Sequence, residues 1–266
     1  MGHVAATGLR LCAGGRVLVD GLTLAAAPGE LVAIVGANGA GKSTLLRALA
    51  GFEPPDAGTI ALDGRPVAAM TAHERARAVT LIGGDAEAPP GTTVREVVAT
   101  GRFAYRPWWD WTERPDDAAA VEAALERAAL AGFGDRVFET LSSGERQRAW
   151  LALALAQSAR LVLLDEPTSH LDPRFALEML CLVRGIARAP TTAIVVLHDL
   201  NEAAAVADRI AVIGEGRLLI CAPPDDALDP DVLERAFGIA FDRIRIGGAI
   251  RVIPRGYRAA EIATGT

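Results

Sequence analysis

The sequence predicts an α/β fold: a core of parallel strands alternating with helices, a β-rich segment before it, and a mainly helical segment inserted within it. Three observations carry this. The runs "ELVAIVG" (30–36), "RLVLLDEP" (160–167) and "TTAIVVLHD" (191–199) are short and apolar through their centres, as in strands covered on both faces. Each leads into a segment with helical periodicity. Between about 86 and 157 the alternation stops and helical patterning takes over.

In chain order, residues 1–35 are β-rich, and the strand at 30–36 ends at a glycine loop. "KSTLLRALAG" follows as a helix, stopped by Gly51 and by Pro54 and Pro55. "AGTIALDGRPV" (57–67) reads as a strand turning at Asp63-Gly64. "PDDAAAVEAALERAALAGFG" (115–134) is predicted as a helix: Pro115 and two aspartates open it, Val121, Ala124, Leu125 and Ala128 share a face, and glycine ends it. After 240 the chain turns β-like and then polar, which predicts a small C-terminal appendage at 241–266 with a loose end. The expected division is a main unit at 1–240, carrying the helical insertion, and that appendage.

The chain has 266 residues, 51% of them hydrophobic, enough for a sizeable core. A net charge of −6 argues against a free-standing nucleic-acid binder, so no nucleic-acid partner is expected. Cys12, Cys181 and Cys221 form no CxxC pair and are odd in number, which fits thiols in a reducing compartment. No apolar run follows a basic start, so no signal peptide is expected. The longest apolar runs, such as "WLALALA" (150–156), fall short of the ~20 residues that span a bilayer, so membrane work would need another chain.

"GANGAGKST" (36–44) holds the chain's only lysine, Lys42, in a sequence that otherwise uses arginine. The stretch fits G-x-x-x-x-G-K-[ST], with Gly36, Gly41, Lys42 and Ser43 in the fixed places around Ala37, Asn38, Gly39 and Ala40, and Thr44 following. Such a loop curls its N–H groups toward phosphate oxygens, its lysine reaches the β- and γ-phosphates, and its serine hydroxyl holds Mg²⁺. A broad planar guanidinium would not fit inside the curl. A second constellation, "LVLLDEP", ends a strand in two carboxylates whose side chains diverge. Asp165 is assigned to Mg²⁺ and Glu166 to general base or water positioning. A third, "LSSGERQRAWLALALAQ" (141–157), opens a helix with Ser142, Ser143, Gly144 and Glu145, small residues that cap it and admit an anion.

"LSSGE" resembles the LSGGQ signature of the ATP-binding cassette family, "HLD" (170–172) its D-loop with Asp172, and His198 its switch histidine. Order and spacing match over about residues 5–240. The resemblance implies a P-loop NTPase with a RecA-like core, an antiparallel β-subdomain and a helical subdomain. It further implies a head-to-tail homodimer holding two ATP and Mg²⁺, with the signature residues touching the nucleotide on Lys42 of the other copy and His198 contacting the γ-phosphate. "TTVREVVATGR" (92–102) and "VVLHDLNEAAAVADRI" are similar to ATPases of iron–siderophore, haem or cobalamin importers. Those pair with integral membrane permease subunits and a separate substrate-binding protein, on the cytoplasmic face of the cell membrane. The alternatives are a soluble cassette ATPase without a membrane partner and a hydrolysis-impaired regulatory subunit.

Departures from the family pattern are specific. Gly84 stands where the family places a Mg²⁺-contacting glutamine, and Gln147 and Gln157 are the chain's only glutamines. With Asp85 as the one adjacent oxygen donor, looser Mg²⁺ coordination is expected, and with it slower hydrolysis or weaker coupling to the permease. No aromatic stands near Cys12 or Ala13 to stack on adenine, and Arg16 is the nearest substitute. "RFAYRPWWDW" (102–111) concentrates five aromatics, read either as a local mini-core or as a permease contact.

Overall fold

The computed structural model describes residues 3–83, 86–106, 114–188 and 190–255. A hairpin of β1 (Val4–Ala13) and β2 (Arg16–Ala26) leads to β3 (Leu31–Gly36) and α1 (Lys42–Leu49). Then come β4 (Ala57–Leu62), the short β5 (Arg65–Pro66), α2 (Ala72–Ala78) and β6 (Val79–Ile82). The helices α3 (Val94–Ala99), α4 (Pro115–Arg127) and α5 (Ser143–Gln157) follow. Alternation resumes with β7 (Leu161–Asp165), α6 (Pro173–Ile186), β8 (Thr192–Val196), α7 (Leu200–Val206), β9 (Arg209–Gly214) and β10 (Arg217–Ala222). The described chain closes with α8 (Pro224–Ala227), α9 (Pro230–Phe237) and a hairpin of β11 (Phe241–Ile246) and β12 (Ala249–Pro254).

The central sheet runs β10-β9-β3-β8-β7-β6, parallel except for the antiparallel edge strand β10. Strands β3, β7 and β8 are buried on both faces, which is why they read as unbroken apolar runs. Along β3, Leu31, Ala33 and Val35 face a layer containing Met179, Leu180 and Val183 of α6. Val32 and Ile34 face the other way, onto α1 and the antiparallel sheet β2-β1-β4-β5. The C-terminal hairpin joins the first layer through Phe241, Ile250 and Val252. The Asn201 side-chain amide donates to the Val252 carbonyl (3.2 Å) and accepts from its N–H (2.9 Å), imitating a neighbouring strand.

The helical unit has its own core, built from Val94, Val97 and Val98 of α3, Val121, Ala124 and Leu125 of α4, and Ala149, Ala152 and Ala156 of α5. Helix α5 also gives Leu151 and Ala154 to the layer beneath the central sheet. From Ala149 to Ala156 it is apolar all round because that stretch serves two cores at once. The sequence predicted α4 to run to a glycine stop near 134, but it ends at Arg127. The left-handed residue is Ala129, at φ 58°, and the Leu130 N–H bonds back to the Leu125 carbonyl at 2.8 Å. Turning there buries Leu130 in the helical core, and that burial holds the turn without glycine.

Segment 102–106 is the described part of the aromatic stretch, and residues 107–111 lie outside the described residues. Arg102 and Arg106 each place Nε 2.8 Å from a different oxygen of Asp117, which is buried although it sits in the exposed-looking first turn of α4. Arg102 also donates to the Ala156 carbonyl and stacks 4.0 Å over the Tyr105 ring, and the Tyr105 hydroxyl donates to the Gln157 carbonyl. Tyr105 and the arginines therefore form an internal clasp between α4 and the end of α5, while Phe103 is half exposed. Burial pushes the Asp117 carboxyl up, but the hydrogen bonds from Arg102 and Arg106 prevail and hold it below the ordinary value.

Asp117→Ala leaves two guanidinium groups unpaired, so it should destabilise the fold by about 3–5 kcal/mol in denaturant unfolding. Because the folded value is depressed, the wild-type contribution is fully present above about pH 4 and is lost as pH falls through the lowered value. The gap between wild type and variant should therefore narrow on acidification.

Candidate functional site

The phosphate loop follows from β3. A Cβ on Gly36 would lie 2.3 Å from the Ile213 carbonyl oxygen, so only glycine lets the strand end press against β9. Gly41 caps α1 at φ 89°, and a Cβ there would approach Leu18 of β2 at 3.0 Å. No side chain caps α1 and no acid occupies its first turn, so its N-terminal N–H groups are left to an anion.

Lys42 is buried beneath this loop, and its ammonium donates to the carbonyls of Gly36 (2.8 Å) and Ala37 (2.9 Å). Burial pulls its pKa down, and the nearby Glu166 and Asp165 carboxylates partly restore it. Asp165 ends β7 opposite Val196 and meets the Ser43 hydroxyl. Its Oδ1 is buried without a partner, and burial raises its pKa. A serine hydroxyl beside an orphaned carboxylate oxygen is a hard-oxygen donor set, which fits Mg²⁺.

Glu166 leaves the strand with φ 54°, a left-handed backbone that ordinary residues adopt only when the surroundings impose it. Its N–H bonds to the Val196 carbonyl and its own carbonyl accepts from the Ser169 N–H, so both neighbours hold the turn. That turn, added to strand alternation, separates the two carboxylates. The Ser169 hydroxyl donates to Glu166 Oε2 at 3.1 Å, and His198 Nε2 lies 2.5 Å from Oε1. His198 follows β8, and the next residue, Asp199, caps α7 by accepting from the N–H groups of Asn201 and Glu202.

These elements surround a cleft of about 500 Å³ lined by Leu18, Asn38, Gly39, Gly41, Lys42, Ser43, Thr44, Glu166 and His198. Gly36, Ala37 and Ala40 shape the loop behind it, with Gly36 and Ala37 supplying the lysine's acceptors. Among the described residues no Phe, Tyr or Trp lines it, and from β2 the cleft receives the aliphatic Leu18. Leu18 and Ser169 went unnoticed in the sequence: one reads as an ordinary strand residue and the other as a loop polar.

The signature residues sit elsewhere. Ser142 caps α5 by accepting from the Glu145 N–H (3.3 Å), while Glu145 Oε2 accepts from the Ser142 N–H (2.7 Å) and hydroxyl (2.9 Å). These bonds, with Arg136 beside it, hold the Glu145 carboxyl below its usual value. Ser143 lines a second cleft of about 340 Å³ with Gln147, Trp150, Ser169 and His170. Asp172 caps α6, its Oδ1 accepting from Arg174 and Phe175 N–H at 3.1 Å each. Gly84 and Asp85 lie outside the described residues.

The sequence pattern of the ABC transporter family matches residues 19–169, more than half of the chain. The hemin import ATP-binding protein of Streptomyces coelicolor is 44% identical over 253 residues, which cover 94% of this chain and 89% of that protein. The ferric enterobactin transport ATP-binding protein of Escherichia coli is 35% identical, covering 96% and 95%. Among solved structures, cbiO1 of Clostridium perfringens, part of the ABC transporter complex cbiONQ, superposes with a TM-score of 0.75 over 88% of this chain and 93% of that one. At 24% identity this last likeness shows the fold alone. The chain belongs to the ABC transporter family, as one of its ATP-binding, ATP-hydrolysing proteins.

Proposed function

We propose that this chain powers an importer of haem or of an iron–siderophore complex, working as a homodimer on the cytoplasmic face of the cell membrane. Its partners in this reading are integral membrane permease subunits and a separate substrate-binding protein. The cleft that joins Lys42, Ser43, Glu166 and His198 is the observation that carries the ATPase chemistry. The import direction and cargo class rest on the likeness to the hemin and ferric enterobactin proteins. The signature segment lines a different cleft from its own phosphate loop, which supports a second copy as the source of the missing half.

In this reading the loop N–H groups and Lys42 hold the β- and γ-phosphates, exchanging the lysine's carbonyl acceptors for phosphate oxygens. Ser43 and Asp165 would hold Mg²⁺, which when bound neutralises phosphate charge. Glu166 orients a water whose oxygen attacks the γ-phosphorus. The bond to the β–γ bridging oxygen breaks, ADP leaves with that electron pair, and the water's proton passes to Glu166. His198 Nε2, 2.5 Å from Glu166 Oε1, is placed to turn toward the γ-phosphate. Residues 1–240 form the nucleotide-binding unit, with 241–266 as an appendage.

Glu166→Gln should retain MgATP binding while turnover drops by about 10²-fold or more. Lys42→Ala should weaken ATP binding by about 10–100-fold, as read by a fluorescent nucleotide. Wild-type turnover in Glu166→Gln would contradict the catalytic assignment. With an aliphatic Leu18 at the cleft instead of an aromatic platform, ATP and GTP should bind with comparable affinity in a competition titration. Asp165 has a raised folded value, so its ionisation destabilises the nucleotide-free protein as pH rises above the ordinary carboxylate range. Asp165→Asn should therefore raise Tm at pH 7 while abolishing Mg²⁺-dependent turnover. For the partners, a tagged pull-down from detergent-solubilised membranes should bring down a many-helix permease. A homodimer confined to the soluble fraction would favour an ATPase without a membrane partner.

A further inference from the structure

Phe175 stands in the first turn of α6 and belongs to none of the three apolar cores. The core-facing residues of that helix are Ala176, Met179, Leu180, Val183 and Ile186, on another face. Phe175 is 39% exposed, so burial of its ring in the interior does not explain its position.

Its ring meets the signature segment instead. Gly144 is buried while Ser142 and Ser143 on its N-terminal side are exposed. A Cβ built on Gly144 would find Cδ1 and Cγ of Phe175 at 3.5 Å, and its three nearest neighbours are all atoms of that one side chain. At that distance a Cβ would make ordinary van der Waals contact, so the ring packs over this position of α5 without requiring glycine there. One turn further along α5, the Arg148 guanidinium stands 5.8 Å from the Phe175 ring centroid and pairs with Glu178 of α6. Arg174 closes on the same carboxylate at 3.0 Å. From the other direction, the Phe175 N–H donates to the Asp172 carboxylate at 3.1 Å.

One residue therefore touches both the signature segment, which the resemblance assigns to the nucleotide of the second copy, and the D-loop. Its backbone anchors the D-loop aspartate, and its ring backs the signature glycine. We propose that Phe175 is a positioning residue for ATP hydrolysis, bracing the signature segment Ser142–Glu145 against the D-loop so that the two are presented to the partner's nucleotide as one unit. This rests on the ATPase reading above. The helical unit and the core sheet are joined near this point by α5, so a loosened brace would let the signature shift relative to Asp172 without disturbing the phosphate loop of the same chain.

The test uses the full chain with Phe175→Ala and Phe175→Tyr, measuring steady-state ATP turnover, binding of a fluorescent ATP analogue and Tm. Phe175→Ala should lower kcat at least fivefold with analogue affinity unchanged within twofold, and Phe175→Tyr, which keeps the ring, should restore kcat. Wild-type kcat in Phe175→Ala would overturn the proposal. So would a parallel loss of kcat, affinity and Tm that Phe175→Tyr fails to rescue, since that would mark general packing. Absence of ATP turnover in the wild-type chain would instead overturn the ATPase reading beneath it.

Discussion

A buried ammonium group must have acceptors, and the functional end of this protein is arranged around that requirement. Lys42 finds its acceptors in the carbonyls of its own loop, at Gly36 and Ala37. The glycines are needed because the curl presses against Ile213 on one side and Leu18 on the other. The carboxylates of Asp165 and Glu166 complete the electrostatics by offsetting what burial takes from the cation. Desolvated lysine, orphaned aspartate oxygen and uncapped helix N-terminus are each unfavourable by themselves. In the proposed function each would be relieved by the same ligand, a triphosphate with its divalent cation.

The sheet explains how residues far apart in sequence reach this point. Strands β3, β8 and β7 lie side by side and parallel, so their C-terminal ends share one edge. The phosphate loop, His198 and the two carboxylates leave from that edge, where open α/β sheets bind ligands. Burial on both faces fixes the strands in register, and the register fixes Asp165 opposite Val196. The helical unit stands apart with a separate core, joined through α5, whose alanine faces let it pack two ways. Its signature end is thereby turned to a different cleft, bound to α6 through Phe175, Arg148 and Glu178.

Much of this was legible in the sequence because it is local. A strand, a glycine loop and a helix in succession specify the phosphate site, and an apolar run ending in two acids specifies the strand beside it. What escaped depends on contacts between distant segments. Asp117 reads as a solvated acid in the first turn of a helix, but Arg102 and Arg106 reach it from another element and bury it. The left-handed turn at Glu166 is imposed by Val196 and Ser169, not by the residue's own preference. Leu130 overrides the absence of glycine at the end of α4 by filling a cavity formed by other helices. Phe175 carries no local signal, since its role lies in the glycine it covers. In each case propensity was outweighed by tertiary packing or pairing.

In the proposed function one chain holds half of each hydrolytic site and a second copy completes it. Sedimentation of the Glu166→Gln protein with and without MgATP tests this most directly, because slow hydrolysis preserves the loaded state. The protein should sediment as a monomer without nucleotide and as a dimer holding two ATP with it. A stable monomer saturated with ATP would contradict this.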